Sequence, residues 1–231
     1  MKRFYKSVGV TPSDGCWQVT LDGRGLNTVR GAAQLVPNEA FARRLAREWD
    51  SQGEKLDPAS FPWRDMTDYA IDQVTKFAPD IAEKLVSFAD TDTLLYRADP
   101  DEALYARQQE VWEPILTAFE TREGVTFKRV CGIMHVSQSE ETLAAMRQRV
   151  SALPAFALTA LEAMTNLASS LTIGLSALES DADPDALWQA ASLEEEWQAQ
   201  EWGRDEEAEE RRARRAADFR RAFEFARLAN G

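Results

Sequence analysis

The apolar residues of this chain change from a strand period to a helical one near Pro37, and that change sets the fold class. In Trp17-Gln18-Val19-Thr20-Leu21 they alternate strictly, the two-residue repeat of a strand with one buried face. After Pro37-Asn38, a helix start signal, Phe41, Leu45 and Trp49 recur every fourth residue, a single helical stripe that ends before Gly53. Phe4 to Val10, Trp17 to Leu21, Leu26 to Val29 and Ala33 to Val36 are short and rich in β-branched and aromatic residues, as strands are. Pro12-Ser13-Asp14-Gly15, Asp22-Gly23-Arg24-Gly25 and Arg30-Gly31 separate them as turns, and Asp22-Gly23 is a hairpin signal.

Helical spacing dominates the chain beyond Gly53. Met66, Ala70 and Val74, with Ile71, make one stripe; Ile81, Leu85 and Phe88 continue after Pro79, which sits where a first-turn proline is tolerated. Leu104, Val111, Trp112, Ile115 and Phe119 make a longer stripe, which Pro114 is expected to kink or end. Val125 to Val136 breaks the helical period: Phe127, Val130, Ile133 and Val136 read as a β segment returning to the N-terminal sheet. Helices are predicted over 140–153, 155–178, 184–203 and 205–229. The expected class is α+β. A small N-terminal antiparallel β-rich domain covers 1–60, completed by the segment at 125–136, and a larger helical domain covers 61–231. Trp49 and Trp112 lie on regular stripes and are expected in the core, while Trp63, after Phe61-Pro62, is expected in a loop.

Charge narrows the function classes. Lys and Arg number 27 against 39 Asp and Glu, a formal net charge of -12 with no long basic run, which repels nucleic-acid phosphates and anionic lipid. No nucleic-acid partner is expected. Phe156 to Leu178 is long enough to span a bilayer, which takes roughly 20 residues. It carries Glu162, Asn166 and several hydroxyls without basic flanks, so a buried helix and no membrane insertion are expected. Cys16 and Cys131 are distant and fit no metal-ligand spacing, which suits a reducing compartment. Met1 to Lys6 holds no apolar signal region, so the fold is expected to start at Met1, in a bacterial-type cytoplasm.

Catalytic signals are sparse. His135 is the single histidine; Cys131 would share its strand face, but an ordinary half-buried histidine is the better reading. Gly23-Arg24-Gly25 lacks the third glycine and the helix start of a phosphate loop. Among so many acids, pairs such as Asp65 and Asp68 or Asp90 and Asp92 are expected on solvated faces. No catalytic group, metal or cofactor is named, and no small-molecule substrate is expected. The runner-up is a small-molecule enzyme working with carboxylates on an α+β scaffold, which would need a deep pocket lined by perturbed acids.

One segment stands out: Glu194-Glu195-Glu196-Trp197-Gln198-Ala199-Gln200-Glu201-Trp202-Gly203-Arg204-Asp205-Glu206-Glu207. Large aromatic rings framed by acids either dock a helix on its own core or wait for a partner surface. Trp197 and Trp202, five apart, do not share one helical face, so at least one is expected to point away from the core. Beyond them Glu206, Glu207, Glu209 and Glu210 precede Arg211, Arg212, Arg214 and Arg215, an order that suits the helix dipole and reads as a solvated helix face.

Taken in order, several motifs resemble a known family. They are Lys2-Arg3-Phe4-Tyr5-Lys6, Leu21-Asp22-Gly23-Arg24, Leu35-Val36-Pro37, the Glu48-Trp49…Gln52 core of Ala46 to Glu54, and Asp92, Leu94 and Tyr96-Arg97-Ala98. Gln108 with Trp112-Glu113-Pro114, Ser170-Leu171 and the Glu-Glu-Trp-Gln…Trp-Gly-x-Asp segment complete the set. The chain is similar to the Atp12 family, assembly chaperones of the F1 part of ATP synthase in alphaproteobacteria and mitochondria. Departures are Asn27 and Val29, where the family has Lys and Pro, and Thr93 and Leu95 in its Leu-Cys stretch. The resemblance implies a binding protein, not an enzyme: an ATP-independent chaperone that holds the unassembled F1 ATP synthase alpha subunit until a β subunit takes its place. It would be cytoplasmic in a bacterium, and in the mitochondrial matrix for eukaryotic relatives; an interaction protein with another client is the blander alternative. The resemblance also places a critical acidic residue of the family at Glu194 or at Glu195. That residue would pair with a basic group on the α subunit, or cap and orient the final helices. The partner-binding residues expected are Glu194, Glu195, Trp197, Gln198, Trp202 and Asp205.

Overall fold

The computed structural model describes residues 1–132 and 134–230. The fold is α+β, a small N-terminal antiparallel sheet followed by a mostly helical region. The chain forms two compact units: Met1–Ala78, Pro154–Thr159 and Glu224–Gly231 make the first, and Pro79–Leu153 with Ala160–Phe223 make the second.

The first unit opens on β1 (Val8–Ser13) and β2 (Cys16–Leu21), antiparallel with Val10 opposite Val19. β3 (Arg24–Gly25) and β4 (Leu35–Val36) both pair with β2. Asp14-Gly15 and Asp22-Gly23 are two-residue turns with φ of 51° and 75°, and 49° and 79°. Positive φ at both centres is the type I′ turn that matches strand twist, and Asp-Gly is the pair that tolerates it. β1 therefore runs on through Pro12-Ser13, which turn composition alone assigns to the loop. The Asp22 carboxylate also accepts from the N–H groups of Lys6 and Ser7, at 3.0 and 2.8 Å, which holds its pKa down.

Helix α1 (Glu39–Asp50) is capped by Asn38, whose side chain accepts from Phe41 N–H at 2.9 Å, and it buries Phe41, Leu45 and Trp49. Trp49 packs edge-on to Tyr5, whose hydroxyl donates to the Trp49 carbonyl at 2.5 Å. Trp63 is in no loop. It lies in α2 (Pro62–Tyr69), fully buried against Phe41 and Phe225, because Glu48 accepts from the N–H groups of Trp63 and Arg64 at 2.9 and 3.0 Å and so starts the helix there. Gln52 completes the motif: its amide bonds the Glu48 carbonyl and Ser60 Oγ and accepts from Asp57 N–H. Phe41, Phe156 and Phe225 join Trp63 in one aromatic core drawn from all three segments of this unit.

The expectation that Asp65 and Asp68 share a solvated face fails at Asp68. After α2 the chain makes a π-helical turn, Ala70–Val74, and Asp68 and Asp72 are both buried. Asp68 takes Gln34 Nε2 at 2.6 Å and Val29 N–H at 3.1 Å, and Asp72 takes Thr28 Oγ1 at 2.9 Å. Burial pushes the Asp68 pKa up while those donors oppose the rise.

In the second unit, α3 (Thr75–Asp90, with its first residues in the first unit) has a non-helical Phe77 two residues before Pro79, so the proline opens a fresh turn as its position suggests. β5 (Tyr96–Arg97) pairs in parallel with β6 (Val130–Cys131). The segment at 125–136 therefore does not return to the N-terminal sheet, and Ile133 lies outside the described residues. Pro114 neither ends nor splits α4 (Ala103–Glu123). Pro114 and Glu110 are both exposed, so the proline lies on the outer face of the helix. α5 (Glu140–Ser151) follows, capped by Ser139.

The stretch predicted as one helix over 155–178 is two, α6 (Ala155–Ala168) and α7 (Leu171–Ser176). Ser169 is left-handed at φ 50°, and Ser170 caps α7 by accepting from Ile173 N–H at 3.0 Å. The fully buried Asp92 accepts from Leu94 N–H at 3.0 Å and Thr172 N–H at 2.8 Å, so it too is no solvated acid. Burial pushes its pKa up, against those hydrogen bonds. Pro184 to Gly203 likewise divides at Ser192, into α8 (Pro184–Ala191) and α9 (Leu193–Trp202), and α10 runs over Glu206–Asn230. Among the described residues no helix is long and apolar enough to cross a membrane.

Candidate functional site

The distinctive acidic and aromatic segment is α9, and its first turn is anchored from inside the second unit. Glu194 is half-buried and accepts from Gln108 Nε2 at 2.6 Å. Gln108, fully buried in α4, accepts from Ala98 N–H at 2.8 Å through its side chain, and from Arg97 Nη1 at 2.9 Å through its carbonyl. The buried Arg97 guanidinium lies 5.1 Å over the Trp112 ring and bonds Glu113 at 3.1 Å. Glu113 also binds Arg129 at 2.7 Å, and Trp112 Nε1 donates to the Ala190 carbonyl at 2.8 Å. Thus Arg97, Gln108, Trp112 and Glu113 form one connected network with Glu194, which lies 86 residues beyond Gln108. Burial raises the Glu194 pKa, opposed by the Gln108 bond, and burial lowers that of Arg97. Burial also works against charge on Arg129, but its bonds to Glu120 and Glu113 win and hold its pKa up.

The remaining expected residues face outward. Glu195, Gln198, Trp202 and Asp205 line a groove of about 400 Å³ between α9 and α10, with Ala199 and Ala208 in its floor. Trp202 is 81% exposed, as the five-residue spacing from Trp197 required of one ring. Gly203, at φ 97°, stops α9 immediately after it, in a conformation an L side chain rarely adopts. Trp197 belongs elsewhere, in a groove of about 600 Å³ with Val111, Ile115 and Leu193. Glu194 lines neither groove. The expected set is therefore split three ways: one inward anchor, one ring on the α4 side, and four residues beside α10.

Ion pairs hold α9 to α10. Glu195 binds Arg215 at 2.8 Å, and Glu196 binds Arg212 at 2.6 Å and also Arg204. Arg215 reaches further, donating to the Leu167 carbonyl at 2.7 Å beneath the Trp188 ring. The arginine run is therefore more than a solvated face: Arg212 and Arg215 fasten the site, and the acid run of α9 is the sequence signal that matches them. Val111 and Ile115, core-stripe residues by their spacing, wall the Trp197 groove.

His135 is exposed, not half-buried, with its ring 3.2 Å from Asp90 Oδ2 and 3.0 Å from the Tyr96 hydroxyl. Cys131 is exposed and unbridged. Asp68, Asp92 and Glu194, the carboxylates whose pKa burial raises, are each engaged by amide or backbone donors, and none lines the grooves above. Among the described residues no three His, Cys, Asp or Glu side chains come together as a metal site.

Comparison with known proteins matches the fold over nearly the whole length. The crystal structure of Atp12 from Paracoccus denitrificans matches with a TM-score of 0.94 and 35% identity, covering 99% of this chain and 98% of that one. A mutant of the same Atp12p gives the same TM-score and identity over 99% of this chain and 97% of that one. The mitochondrial protein atp12 of Schizosaccharomyces pombe is 28% identical over 222 residues, 90% of this chain and 76% of the relative. The profile of the ATP12 chaperone protein family matches residues 2–120, so the chain belongs to the ATP12 chaperone family.

Proposed function

We propose that this chaperone serves ATP synthase assembly in a bacterial cytoplasm. It would bind the unassembled F1 α subunit without ATP and shield its interface until the β subunit replaces it. An unassembled subunit exposes a large apolar interface and aggregates, so a surface that covers it must offer aromatic anchors and still let go. The observation that carries the reading is Trp202: an indole 81% exposed at the end of an acidic helix, beside an apolar-floored groove. Glu195, Gln198 and Asp205 form the polar rim, and Trp197 anchors the neighbouring groove. Of the two roles open to Glu194, orienting the helix is the one its inward bond to Gln108 favours.

The test is co-expression with the α subunit of the same organism, scoring soluble α that co-purifies. Wild type is expected to keep α soluble, Trp202→Ala to lose most of it while melting like wild type, and Glu194→Gln to retain it. If wild type leaves α insoluble, the client is wrong. If Trp202→Ala performs as wild type, the surface is wrong.

A further inference from the structure

The sheet of the first unit ends at β1, which among the described residues pairs with β2 alone. The turn fixes which of its amides are used. Ser13 and Cys16 flank a two-residue loop, and Asp22 N–H donates to the Ser7 carbonyl at 3.0 Å, so the odd-numbered residues of β1 exchange bonds with β2. The N–H and C=O groups of Val8 and Val10 point the other way, and no other element pairs with them among the described residues. Edge strands are usually shortened, charged or covered. Here Pro12 protects only one end, since it has no N–H to offer.

A groove of about 300 Å³ follows this edge, with Val8, Gly9 and Val10 on one wall and Arg43, Ala46, Arg47 and Asp50 of α1 on the other. Spacings of three and four place those α1 residues on one helical face. Arg43 is paired with Glu39, and Asp50 lies 3.9 Å from Arg3, but Arg47 is exposed and forms no ion pair among the described residues. The helical wall thus carries two arginines and one aspartate, and among the described residues Arg47 is the arginine left without an ion pair in a chain of net charge -12.

We propose that the β1 edge is a strand-addition site for an extended, acidic segment of a partner protein. The segment's main chain would bond Val8 and Val10, and its alternate carboxylates would lie beside Arg47 and Arg43. The mode is β-augmentation in a groove between a strand edge and a helix, where backbone bonds supply affinity and side-chain pockets supply choice. A second copy of the chain is the poorer occupant: joining two β1 edges about a twofold axis brings Arg43 and Arg47 of each copy against those of the other. The proposal is independent of the α9 surface and of the client assigned to it.

A fluorescein-labelled peptide of alternating valine and glutamate is titrated into the full chain by anisotropy, while amide hydrogen exchange is followed by NMR. Saturable binding is expected, with new protection at the Val8 and Val10 amides. Arg47→Glu should weaken it by up to about fivefold, the upper scale of an exposed ion pair, and Val10→Pro, tolerated at an edge, should abolish it. A valine–lysine peptide should not bind. No protection at those two amides, equal affinity for the lysine peptide, or undiminished binding by both variants overturns the proposal. Protection of the same amides without peptide, with dimerisation at rising concentration, would give the edge to a second copy and overturn it too.

Discussion

The dipeptide Glu-Trp occurs three times, at Glu48-Trp49, Glu196-Trp197 and Glu201-Trp202, always in a helix, with opposite outcomes. Trp49 is 7% exposed and Trp202 81%. Local sequence is the same; what differs is register. Trp49 stands in line with Phe41 and Leu45, and Glu48, one position back, meets the bare N–H groups at the start of α2. Trp202 follows no stripe and is the final residue of its helix. In the first pair both side chains are consumed in building the fold. In the last, the ring is left over, and a ring left over at the rim of a groove is available to something else.

That contrast can be broken by experiment. Trp49→Ala carries the largest expected effect, a loss of about 3–5 kcal/mol in urea unfolding; a loss below about 1 kcal/mol would mean that the site closes around the gap. Glu48→Ala should cost about 1–3 kcal/mol by leaving two helix-start donors unsatisfied, and amide exchange at Trp63 and Arg64 should rise with it. Glu194→Gln should change stability little at low pH and flatten its pH dependence. A carboxylate with a raised native pKa contributes stability that is fully present below its unfolded pKa and is lost as pH rises through the native one. The variant has no such proton to lose, so denaturation curves collected across that window should diverge from wild type on the alkaline side. Trp202→Ala should be smallest, within about 0.5 kcal/mol of wild type, with its penalty confined to client binding.

Much of the architecture was legible because it rests on local pattern. The α1 stripe, the Asp22-Gly23 hairpin and the burial of Trp49 and Trp112 all follow from spacing within a few residues. The acids were not legible for the complementary reason. Asp68 is buried because Val29 and Gln34 bring it an N–H and an amide from more than thirty residues upstream, and Asp92 because Thr172 arrives from eighty residues away. Only one of these donors is local, the Leu94 N–H beside Asp92; the others come from distant parts of the chain. Pro114 does not end its helix: α4 continues for nine residues beyond it, so of the two expected outcomes termination is the one that fails. At the candidate site, spacing showed that one tryptophan must face out. It did not show that Glu194 turns inward, since its partner Gln108 lies 86 residues earlier.

The aromatic core of the first unit has a consequence for the order in which the chain comes off the ribosome. Phe41 and Trp63 are made before the second unit, and Phe225 only after it. The paired Asp-Gly hairpins need only their own neighbours and can close within moments of synthesis. The pocket that Phe225 fills stays open throughout translation of the second unit. The first unit thus begins before the second is made and is completed only after it, and for that interval it is itself a nascent chain with an apolar surface awaiting its cover.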